Sequence, residues 1–380
     1  MLYRTMKKGS PKLSILGFGC MRLPVTAEGK IDEKEATGML RYAIDKGVNY
    51  VDTAYPYHNG ESEPFVGRAL AGGYREKVNL ATKLPSWLVT SRKDMDTFLE
   101  EQLDRLQTDH IDYYLVHGLN APFWENLSGL GVTEFLDDAL ADGRIRHAGF
   151  SFHDKTALFR KIVDSYDWTF AQIQYNFMDE QYQAGTAGLT YAAKKGLGIV
   201  VMEPVRGGLL AKDLKGITEI WQSAETRHDP AEWALSWVWN HPEVTVVLSG
   251  MSTMAQVRQN VALAGSGRPG SLSKKELTLF AKVKKELKKR IVIPCTGCRY
   301  CVPCPHGVSI PECFEMFNRG HIYEDAEDAK QHYTMFLGGF FDGIPHFASC
   351  CQECGECEEK CPQDLPIREH LRHVAEYFGK

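Results

Sequence analysis

The sequence of 380 residues has no long apolar run and little excess of either charge. None of its apolar stretches approaches the roughly 20 residues that a membrane-spanning helix needs, and the start MLYRTMKKGS has no apolar segment of signal-peptide type. Its 44 basic and 49 acidic residues give a net charge of −5, which provides no basic field for nucleic acid or anionic lipid. We therefore expect a cytoplasmic protein that binds neither nucleic acid nor membrane.

Cysteine is also scarce over most of the chain. Only Cys20 precedes Cys295, and the other ten of the eleven cysteines lie between Cys295 and Cys361. In a reducing cytosol such crowding favours metal ligation over disulfides. The composition as a whole, 43% hydrophobic and 24% charged, is that of an ordinary globular protein and excludes disorder.

Short strand-like runs alternate with amphipathic helical patterns along most of the chain. After a hairpin-like start over residues 3–17, we count eight such pairs. The strand candidates are residues 13–19, 49–53, 78–82, 111–117, 145–151, 170–176, 198–203 and 244–250. Eight βα units in this length match the roughly 250 residues typical of a closed parallel barrel. We predict an α/β fold with a (β/α)8 TIM barrel.

The pattern changes after residue 264, where a turn-rich stretch leads into the Lys-rich segment KKELTLFAKVKKELKKR. A nucleic-acid patch is one interpretation of this segment, but a solvated helix face beside a domain edge is favoured. We place the domain boundary near residue 285. Residues 1–285 would form the barrel, and residues 286–380 a small, mainly helical domain that contains the crowded cysteines.

Ionisable side chains follow the ends of the second, third and fourth strand candidates. These are Asp52, with Tyr57 five residues later, then Lys83 and His117. Because catalytic side chains of TIM barrels lie where the strands end, we expect the four to converge. A phenol becomes a usable acid when a nearby cation stabilises its phenolate, which predicts that Lys83 supports proton donation by Tyr57. Asp52 would hold Lys83, and His117 would direct a carbonyl oxygen.

Motifs along the first 265 residues resemble those of the aldo-keto reductase family. They are GFGCMRL, DTAYPY, ATKLP, LQTDHIDYYLVH, GFS, QIQYN and LSGMSTMAQVRQN. The resemblance implies NAD(P)H-dependent reduction of an aldehyde or ketone, a small carbonyl substrate, with Asp52, Tyr57, Lys83 and His117 as the catalytic tetrad and Tyr57 as the acid.

The same resemblance implies a set of residues that bind the nucleotide, NADP(H) or NAD(H). They are Gly19, Cys20 and Met21 near the nicotinamide ribose, Ser151 and Gln172 at the carboxamide, Gly207 and Gly208 at the pyrophosphate, and Gly250, Ser252, Gln256 and Asn260 at the adenosine end. For Cys20, a role as a small buried apolar side chain is at least equally favoured.

The sequence departs from the family pattern in three places along the chain. Phe152 stands where the family commonly has Asn after the Ser, and Met202 stands where many members stack an aromatic ring on the nicotinamide. At the adenosine end, Gly250 and Gln256 replace basic residues that some members use for the 2′-phosphate. Arg206 and Arg258 are alternative phosphate ligands, since phosphate recognition favours arginine forks, or else surface charges.

The last cysteine run has the spacing of bacterial ferredoxin clusters. Cys351, Cys354, Cys357 and Cys361, followed by Pro362, match C-x₂-C-x₂-C-x₃-C-P, while the earlier run has two residues before its last cysteine. In two-cluster ferredoxins the fourth cysteine of each run binds the other cluster. We therefore predict two 4Fe-4S clusters, one held by Cys295, Cys298, Cys301 and Cys361, the other by Cys351, Cys354, Cys357 and Cys304.

Zinc is the alternative metal, but tetrahedral zinc sites usually use two separated knuckles rather than four evenly spaced cysteines. Cys313 and Cys350 are left over, either as buried thiols or as replacements for a predicted ligand. The two domains together resemble an aldo-keto reductase subgroup with a C-terminal ferredoxin-like 4Fe-4S domain.

Three functions are open at this point. The first is a carbonyl reductase whose clusters are structural or serve a redox partner protein. The second is an electron-transfer oxidoreductase, for which a flavin would be the usual converter, although no motif indicates one. The third is a non-enzymatic redox-sensing subunit, which the complete tetrad disfavours.

Overall fold

The computed structural model of the chain describes residues 1–6, 11–226, 228–295, 297, 299–340, 342–361 and 363–379. These form two compact units: Met1–Ala211 with His228–Glu276, and Lys212–Arg227 with Leu277–Lys380. The boundary that the sequence places near 285 stays a prediction. No helix in the described part of the chain is long and apolar enough to cross a membrane.

The first unit contains the β-structure of the described residues. Its strands are β1 (Tyr3–Arg4), β2 (Leu13–Ser14), β3 (Leu16–Gly19), β4 (Tyr50–Asp52), β5 (Asn79–Leu84), β6 (Ile111–Leu119), β7 (Ile145–Phe152), β8 (Phe170–Gln174), β9 (Gly198–Met202) and β10 (Val244–Ser249). β1 and β2 pair antiparallel, as the hairpin-like start predicts. β3 to β10 form a closed parallel barrel in which β10 pairs with β3, so the predicted TIM-type barrel is confirmed.

Helices follow the strands in the alternation that the sequence predicts. They are α1 (Glu33–Asp45), α2 (Ser62–Ala69), α3 (Arg92–Leu106), α4 (Ala121–Gly129), α5 (Val132–Ala141), α6 (Thr156–Val163), α7 (Gly185–Lys194), α8 (Ile217–Gln222), α9 (Pro230–Trp239), α10 (Met254–Leu263), α11 (Lys274–Lys288), α12 (Ile310–Ile322), α13 (Ala326–Leu337), α14 (Glu356–Glu359) and α15 (Ile367–Phe378). Local signals set their starts. Asp32, for example, caps α1 by accepting a hydrogen bond from the Glu35 amide at 3.1 Å.

The barrel strands are buried on both faces, as parallel strands covered by helices must be. β10, with the sequence VTVVLS, is buried along its whole length. Alternate side chains fill the interior and include Tyr50, Tyr113 and Phe170. Because this packed interior closes the barrel below, polar groups at the strand ends are confined to its mouth.

The second unit is mainly helical, as predicted. α12, α13 and α15 pack around a small apolar core in which the ring of Tyr333 stacks on Phe378 with 4.2 Å between centroids. The described cysteines near residues 295–304 and 350–361 lie mostly on irregular segments outside this helix trio. The helices therefore support loops that carry the thiols.

Candidate active site

The mouth of the barrel is built from inward-facing residues near the ends of its strands. Strand register places neighbouring ends side by side, for example Gly19 beside Asp52 and Ser151 beside Gln172. With alternation along each strand, eight inward-facing residues near the strand ends are, in barrel order, Gly19, Asp52, Lys83, His117, Ser151, Gln172, Met202 and Gly250, the last directly after β10. Seven of these eight residues, all but Met202, were predicted to bind nucleotide or to catalyse, and two of the seven, Lys83 and Asp52, form the centre of the site.

Lys83 is fully buried, at 0% exposure, and its ammonium is partnered on several sides. Its Nζ donates to Asp52 Oδ1 at 2.8 Å and to the Thr53 carbonyl at 2.6 Å. Burial alone lowers the pKa of Lys83, but Asp52 and Tyr57 outweigh it and leave the pKa raised. Lys83 is therefore a fixed cation in the floor of the mouth.

Asp52 balances this cation from the neighbouring strand. Burial raises the pKa of its carboxyl, and Lys83 acts in the opposite direction. Within the described residues, Asp52 Oδ2 is buried without a hydrogen-bond partner. The pair thus depends on its mutual contact, because removing either member would leave a buried charge.

Tyr57 lies beside Lys83, on a short 3₁₀ helix over Tyr57–Gly60 that follows β4. The Nζ of Lys83 is 5.1 Å from the centre of the Tyr57 ring. Burial raises the pKa of Tyr57 and Lys83 lowers it; the net direction is upward. The side chain remains partly exposed at the mouth, which limits the effect of burial. Lys83 acts in the direction that the sequence predicts, without reversing the effect of burial.

His117, from β6, faces Tyr57 across the mouth. The two ring centroids are 6.3 Å apart, and the ring centroid of Trp87 lies 5.3 Å from that of the imidazole. Burial, together with Lys83, holds the pKa of His117 well below its usual range, so the imidazole is neutral. Its Nδ1 has no partner among the described groups. Sequence reasoning missed Trp87, although an aromatic four residues after a strand-end lysine was a usable signal.

Ser151 and Gln172 occupy adjacent positions on β7 and β8. Ser151 Oγ accepts a hydrogen bond from the Gly118 amide at 2.7 Å and keeps its own proton to donate. Gln172 Nε2 lies 3.5 Å from Met202 Sδ, while its buried Oε1 has no partner in the described part of the chain. This free acceptor and free donor fit the amide group of a carboxamide.

The loop after β3 carries the three residues predicted at the nicotinamide ribose. Gly19 ends the strand, and a Cβ there would lie 3.4 Å from the Ser249 carbonyl oxygen. Cys20 is fully buried, and burial raises the pKa of its thiol, which favours a neutral side chain. Met21 is 43% exposed. Both interpretations of Cys20 are therefore consistent with its position.

The loop after β9 has the open backbone that a phosphate group needs. Gly207 and Gly208 adopt φ of 68° and 98°, and a Cβ on Gly208 would meet no described atom within 4 Å. Arg206 Nε lies 3.4 Å from Asp179 Oδ2. Arg258, the other alternative phosphate ligand, lies over the ring of Tyr42 at 5.7 Å.

The loop after β10 carries the four residues predicted at the adenosine end. The Ser252 amide donates to Gln256 Oε1 at 2.8 Å, and Ser252 Oγ donates to the Arg22 carbonyl at 2.9 Å. Asn260 Nδ2 donates to Ser249 Oγ at 3.0 Å. Gly250 lies against the Arg22 side chain, where a Cβ would approach to 3.3 Å. These contacts join the first and last loops of the barrel.

Of the departures from the family pattern, Phe152 has a clear structural place. Its ring is buried and packs on Phe159 of α6, with 5.1 Å between centroids. It therefore belongs to the packing outside the barrel, while Ser151 faces the mouth.

In the second unit, two neighbouring recesses are lined by thiols. One is lined by Cys304, Cys351, Cys354, Cys357 and Cys301, and the other by Cys295, Cys301 and Cys361. Cys298 lies outside the described residues, as does Pro362. The described residues contain no compact group of three His, Cys, Asp or Glu that could hold a single metal ion. The thiolate donor set and the sharing of each recess between the two cysteine runs fit iron–sulfur clusters.

The two leftover cysteines lie away from these walls. Cys313 is fully buried in the helical core, its Sγ 3.7 Å from the His346 carbonyl oxygen. Cys350 Sγ lies 3.6 Å from the neighbouring Pro345 carbonyl oxygen. Burial raises the pKa of the Cys313 thiol, which favours its neutral form.

A parallel barrel with this group of side chains at its mouth defines an oxidoreductase class, and comparison with known proteins gives the family. Residues 15–266 match the aldo/keto reductase family, and residues 294–365 match the 4Fe-4S dicluster domain. The chain therefore belongs to the aldo/keto reductase family and carries a C-terminal 4Fe-4S domain, which confirms both predictions and favours iron–sulfur chemistry over zinc.

Individual relatives agree with this assignment. Protein tas of Escherichia coli (strain K12) is 28% identical over 324 residues, covering 69% of this chain and 92% of that protein. The aldo-keto reductase AKR11C1 from Bacillus halodurans (holo form) has a TM-score of 0.63 at 27% identity, covering 74% of this chain and 96% of that one. An aldo/keto reductase from Klebsiella pneumoniae in complex with NADP and acetate shares the fold, with a TM-score of 0.59 at 23% identity and coverage of 74% and 94%.

Proposed function

We propose that the protein reduces a small aldehyde or ketone with NADP(H) or NAD(H), with Tyr57 as the proton donor. The observation that carries this proposal is the buried Lys83 ammonium, bonded to Asp52 and 5.1 Å from the centre of the Tyr57 ring. A buried cation beside a phenol stabilises the phenolate that is left after proton donation. Family membership supports the same activity.

Each member of the tetrad has a distinct task in this proposal. Asp52 keeps Lys83 charged, and the Thr53 carbonyl fixes the direction of the ammonium. Lys83 opposes the effect of burial on the pKa of Tyr57, so that the phenol can release its proton to the substrate oxygen. His117, neutral because of burial, can donate one hydrogen bond to that oxygen and orient it toward Tyr57.

The nucleotide would be held along the mouth by the residues that the sequence predicts. Gln172 Oε1 and the Ser151 hydroxyl proton suit the carboxamide, and the open loop at Gly207 and Gly208 suits the pyrophosphate. When bound, the nicotinamide supplies the hydride. The complex of the Klebsiella pneumoniae relative with NADP supports NADP(H) for this chain.

We assign residues 1–285 to the barrel domain and residues 286–380 to a domain that holds two 4Fe-4S clusters. The first recess would use Cys351, Cys354, Cys357 and Cys304, and the second Cys295, Cys298, Cys301 and Cys361. When bound, the clusters carry single electrons. Reducing conditions in the cytoplasm would keep these thiols available.

One observation favours electron transfer as a second candidate function. The two recesses share Cys301 and Ile310 in their walls, so clusters in them would be neighbours. Neighbouring clusters suit passage of electrons to a redox partner protein. No motif indicates the flavin that would convert electron pairs to single electrons in the barrel.

A single experiment separates these functions. NADPH is added to anaerobically purified protein, with and without a panel of aldehydes and ketones, while nicotinamide and cluster absorption are followed together. For carbonyl reduction we expect nicotinamide oxidation only when a carbonyl is present, with the clusters unreduced. Reduction of the clusters without any carbonyl would instead establish electron transfer.

Tyr57→Phe tests the proton donor in the same assay. We expect carbonyl reduction to fall about 10²- to 10⁴-fold, the usual contribution of a general acid, with NADPH binding unchanged. Tyr55→Phe is the matched control, because the Tyr55 hydroxyl contacts Glu101 on α3, away from Lys83. Unchanged reduction by Tyr57→Phe would refute the proposed role.

A further inference from the structure

A chain of buried polar side chains lies on the outside of the barrel, behind Lys83. Its members are fully buried, which is unusual for a Glu and a Gln outside a functional site. They are Ser62 and Glu63 at the start of α2, Thr82 on β5, Gln102 on α3 and Tyr114 on β6. None of them was singled out by the sequence patterns, and the mechanism above does not use them.

Glu63 is the centre of this group. Its Oε1 accepts from Thr82 Oγ1 and from Gln102 Nε2, each at 2.6 Å, and its Oε2 lies 3.5 Å from Arg105 Nη1. Thr82 directly precedes Lys83, and successive strand residues point to opposite faces. Glu63 therefore fixes the outer face of the strand whose inner face presents the ammonium.

Gln102 connects this group to the backbone of Lys83. Its Nε2 donates to the Lys83 carbonyl at 3.0 Å, and its Oε1 accepts from the Tyr114 hydroxyl at 2.8 Å. The two amide protons and the amide oxygen are thus all used, and the side chain has one orientation. Gln102 sets the position of Lys83 relative to α3 and β6.

Ser62 contacts Thr53, the residue whose carbonyl accepts a hydrogen bond from the Lys83 ammonium. Its Oγ is 2.8 Å from Thr53 Oγ1, and the carbonyl of the same Thr53 accepts from Lys83 Nζ at 2.6 Å. Two consecutive residues of α2 therefore hold both ends of Lys83. Ser62 acts through Thr53 on the ammonium, and Glu63 acts through Gln102 on the main chain.

We propose that Ser62, Glu63 and Gln102 are positioning residues that set the distance between the Lys83 ammonium and the Tyr57 hydroxyl. The inference rests on the proposed function, since Lys83 and Tyr57 matter only if they act in proton donation. Catalysis is sensitive to such placement, because a displacement of about 1 Å can reduce a rate about 10²-fold. Charge stabilisation of the phenolate also weakens as the ammonium moves away.

The direction of the effect follows from the electrostatics of the site. Lys83 lowers the pKa of Tyr57 in opposition to burial. If the group behind Lys83 is broken, the ammonium is held less closely, so the pKa of Tyr57 rises further. The alkaline limb of carbonyl reduction, which reports loss of the phenol proton, then moves to higher pH while kcat falls.

Gln102→Met tests this, because Met keeps the length of the side chain and removes the hydrogen bonds of its amide group. We expect kcat for carbonyl reduction to fall about 10- to 100-fold, with KM for NADPH unchanged and the alkaline limb shifted upward. Thr82→Val, which removes a single hydroxyl at constant shape, should give the same changes at smaller size. Thr245→Val is the matched control: it is a buried barrel threonine whose hydroxyl accepts a hydrogen bond from the Ile199 amide at 3.4 Å.

A second measurement is independent of turnover. The Tyr57 phenol is titrated by ultraviolet difference absorption, comparing each variant with the same variant carrying Tyr57→Phe. An upward shift in Gln102→Met and Thr82→Val, absent in Thr245→Val, supports the proposal. If both variants lose thermal stability or kcat without any shift in the phenol titration, the group is merely structural and the proposal is refuted.

Failure of the proposed function gives a different result. In that case Tyr57→Phe leaves carbonyl reduction intact in the unmodified background, yet the phenol titration still reports the relation of Lys83 to Tyr57. If Gln102→Met does not fold, the comparison uses Thr82→Val, because loss of one hydroxyl at constant shape leaves the apolar packing intact.

Discussion

The mouth of the barrel and the cysteine recesses of the second unit reach their sites by different means. In the barrel, strand register brings the ionisable residues together, and Lys83 and Asp52 already partner each other. In the second unit, irregular segments present thiols around two recesses, and several of their residues have left-handed backbone, including Arg299, Glu353 and Gly355. The geometry of the first site is fixed by the barrel itself, whereas the geometry of the second depends on the metal cluster that its thiols bind.

This contrast predicts different kinds of damage. A change at the mouth of the barrel should remove chemistry and leave the barrel closed, because hydrogen-bonded strands and a packed interior maintain it. A change among the ligating thiols should remove both the metal and the local structure, because the second unit has only a small helical core. The three predictions below test that difference.

The largest effect is expected for loss of a cluster ligand. Cys351→Ser should lose iron from one recess and unfold its surrounding segments, since metal binding and folding are coupled in small metal domains. The barrel should remain folded and keep carbonyl reduction. Iron content, with limited proteolysis followed by mass spectrometry of the full chain, measures both results.

Cys350→Ser is the matched control, since it changes the adjacent thiol, which lies against the Pro345 carbonyl. It should keep its full iron content. Equal loss of iron in the two variants would show that Cys350 serves as a ligand, and loss of barrel structure in Cys351→Ser would break the contrast between the regions.

An intermediate effect on stability is expected at the centre of the barrel site. Lys83→Met leaves the Asp52 carboxylate buried without its cation, which should cost about 3 to 5 kcal/mol of unfolding free energy as well as carbonyl reduction. The double variant Lys83→Met with Asp52→Asn should recover most of the stability and none of the activity. Denaturant unfolding measures the first, and the NADPH assay the second. Equal stability of the single and double variants would contradict the pairing.

The smallest effect is expected at Gln172. Gln172→Leu removes the buried acceptor Oε1 and keeps the volume, so the barrel should keep its stability. One neutral hydrogen bond contributes about 0.5 to 1.5 kcal/mol, which predicts NADPH binding weaker by about 2- to 13-fold. Fluorescence titration with NADPH measures it, and Gln174→Leu on the same strand is the comparison, because Gln174 bonds Asp179. Unchanged NADPH affinity in Gln172→Leu would remove Gln172 from the nucleotide site.

The barrel and the family were predictable because both produce local patterns in the sequence. Alternation of strand and helix signals is repeated eight times, and the residues at strand ends such as Lys83 and His117 follow directly from that alternation. The cysteine spacing predicts the 4Fe-4S domain in the same way. A periodic pattern can be detected in the sequence without knowledge of long-range contacts.

The group behind Lys83 was not predictable for the opposite reason. Gln102 lies in a helix with many polar residues, and nothing in its neighbourhood distinguishes it from the exposed ones. Its role depends on contact with the Lys83 carbonyl 19 positions away. The upward shift of the pKa of Tyr57 was equally unpredictable, because it results from burial of the side chain in the folded barrel.

Closure of the barrel has a consequence for the order in which the chain acquires structure. β3 pairs with β10, and Ser252 bonds the Arg22 carbonyl across 230 positions of sequence. During synthesis, one edge of β3 therefore stays unpaired until β10, the last barrel strand, has left the ribosome. Such long-range pairing is intrinsically slow and leaves strand edges open to aggregation. We therefore expect the pairing of β3 with β10 to be the last step in the folding of the barrel.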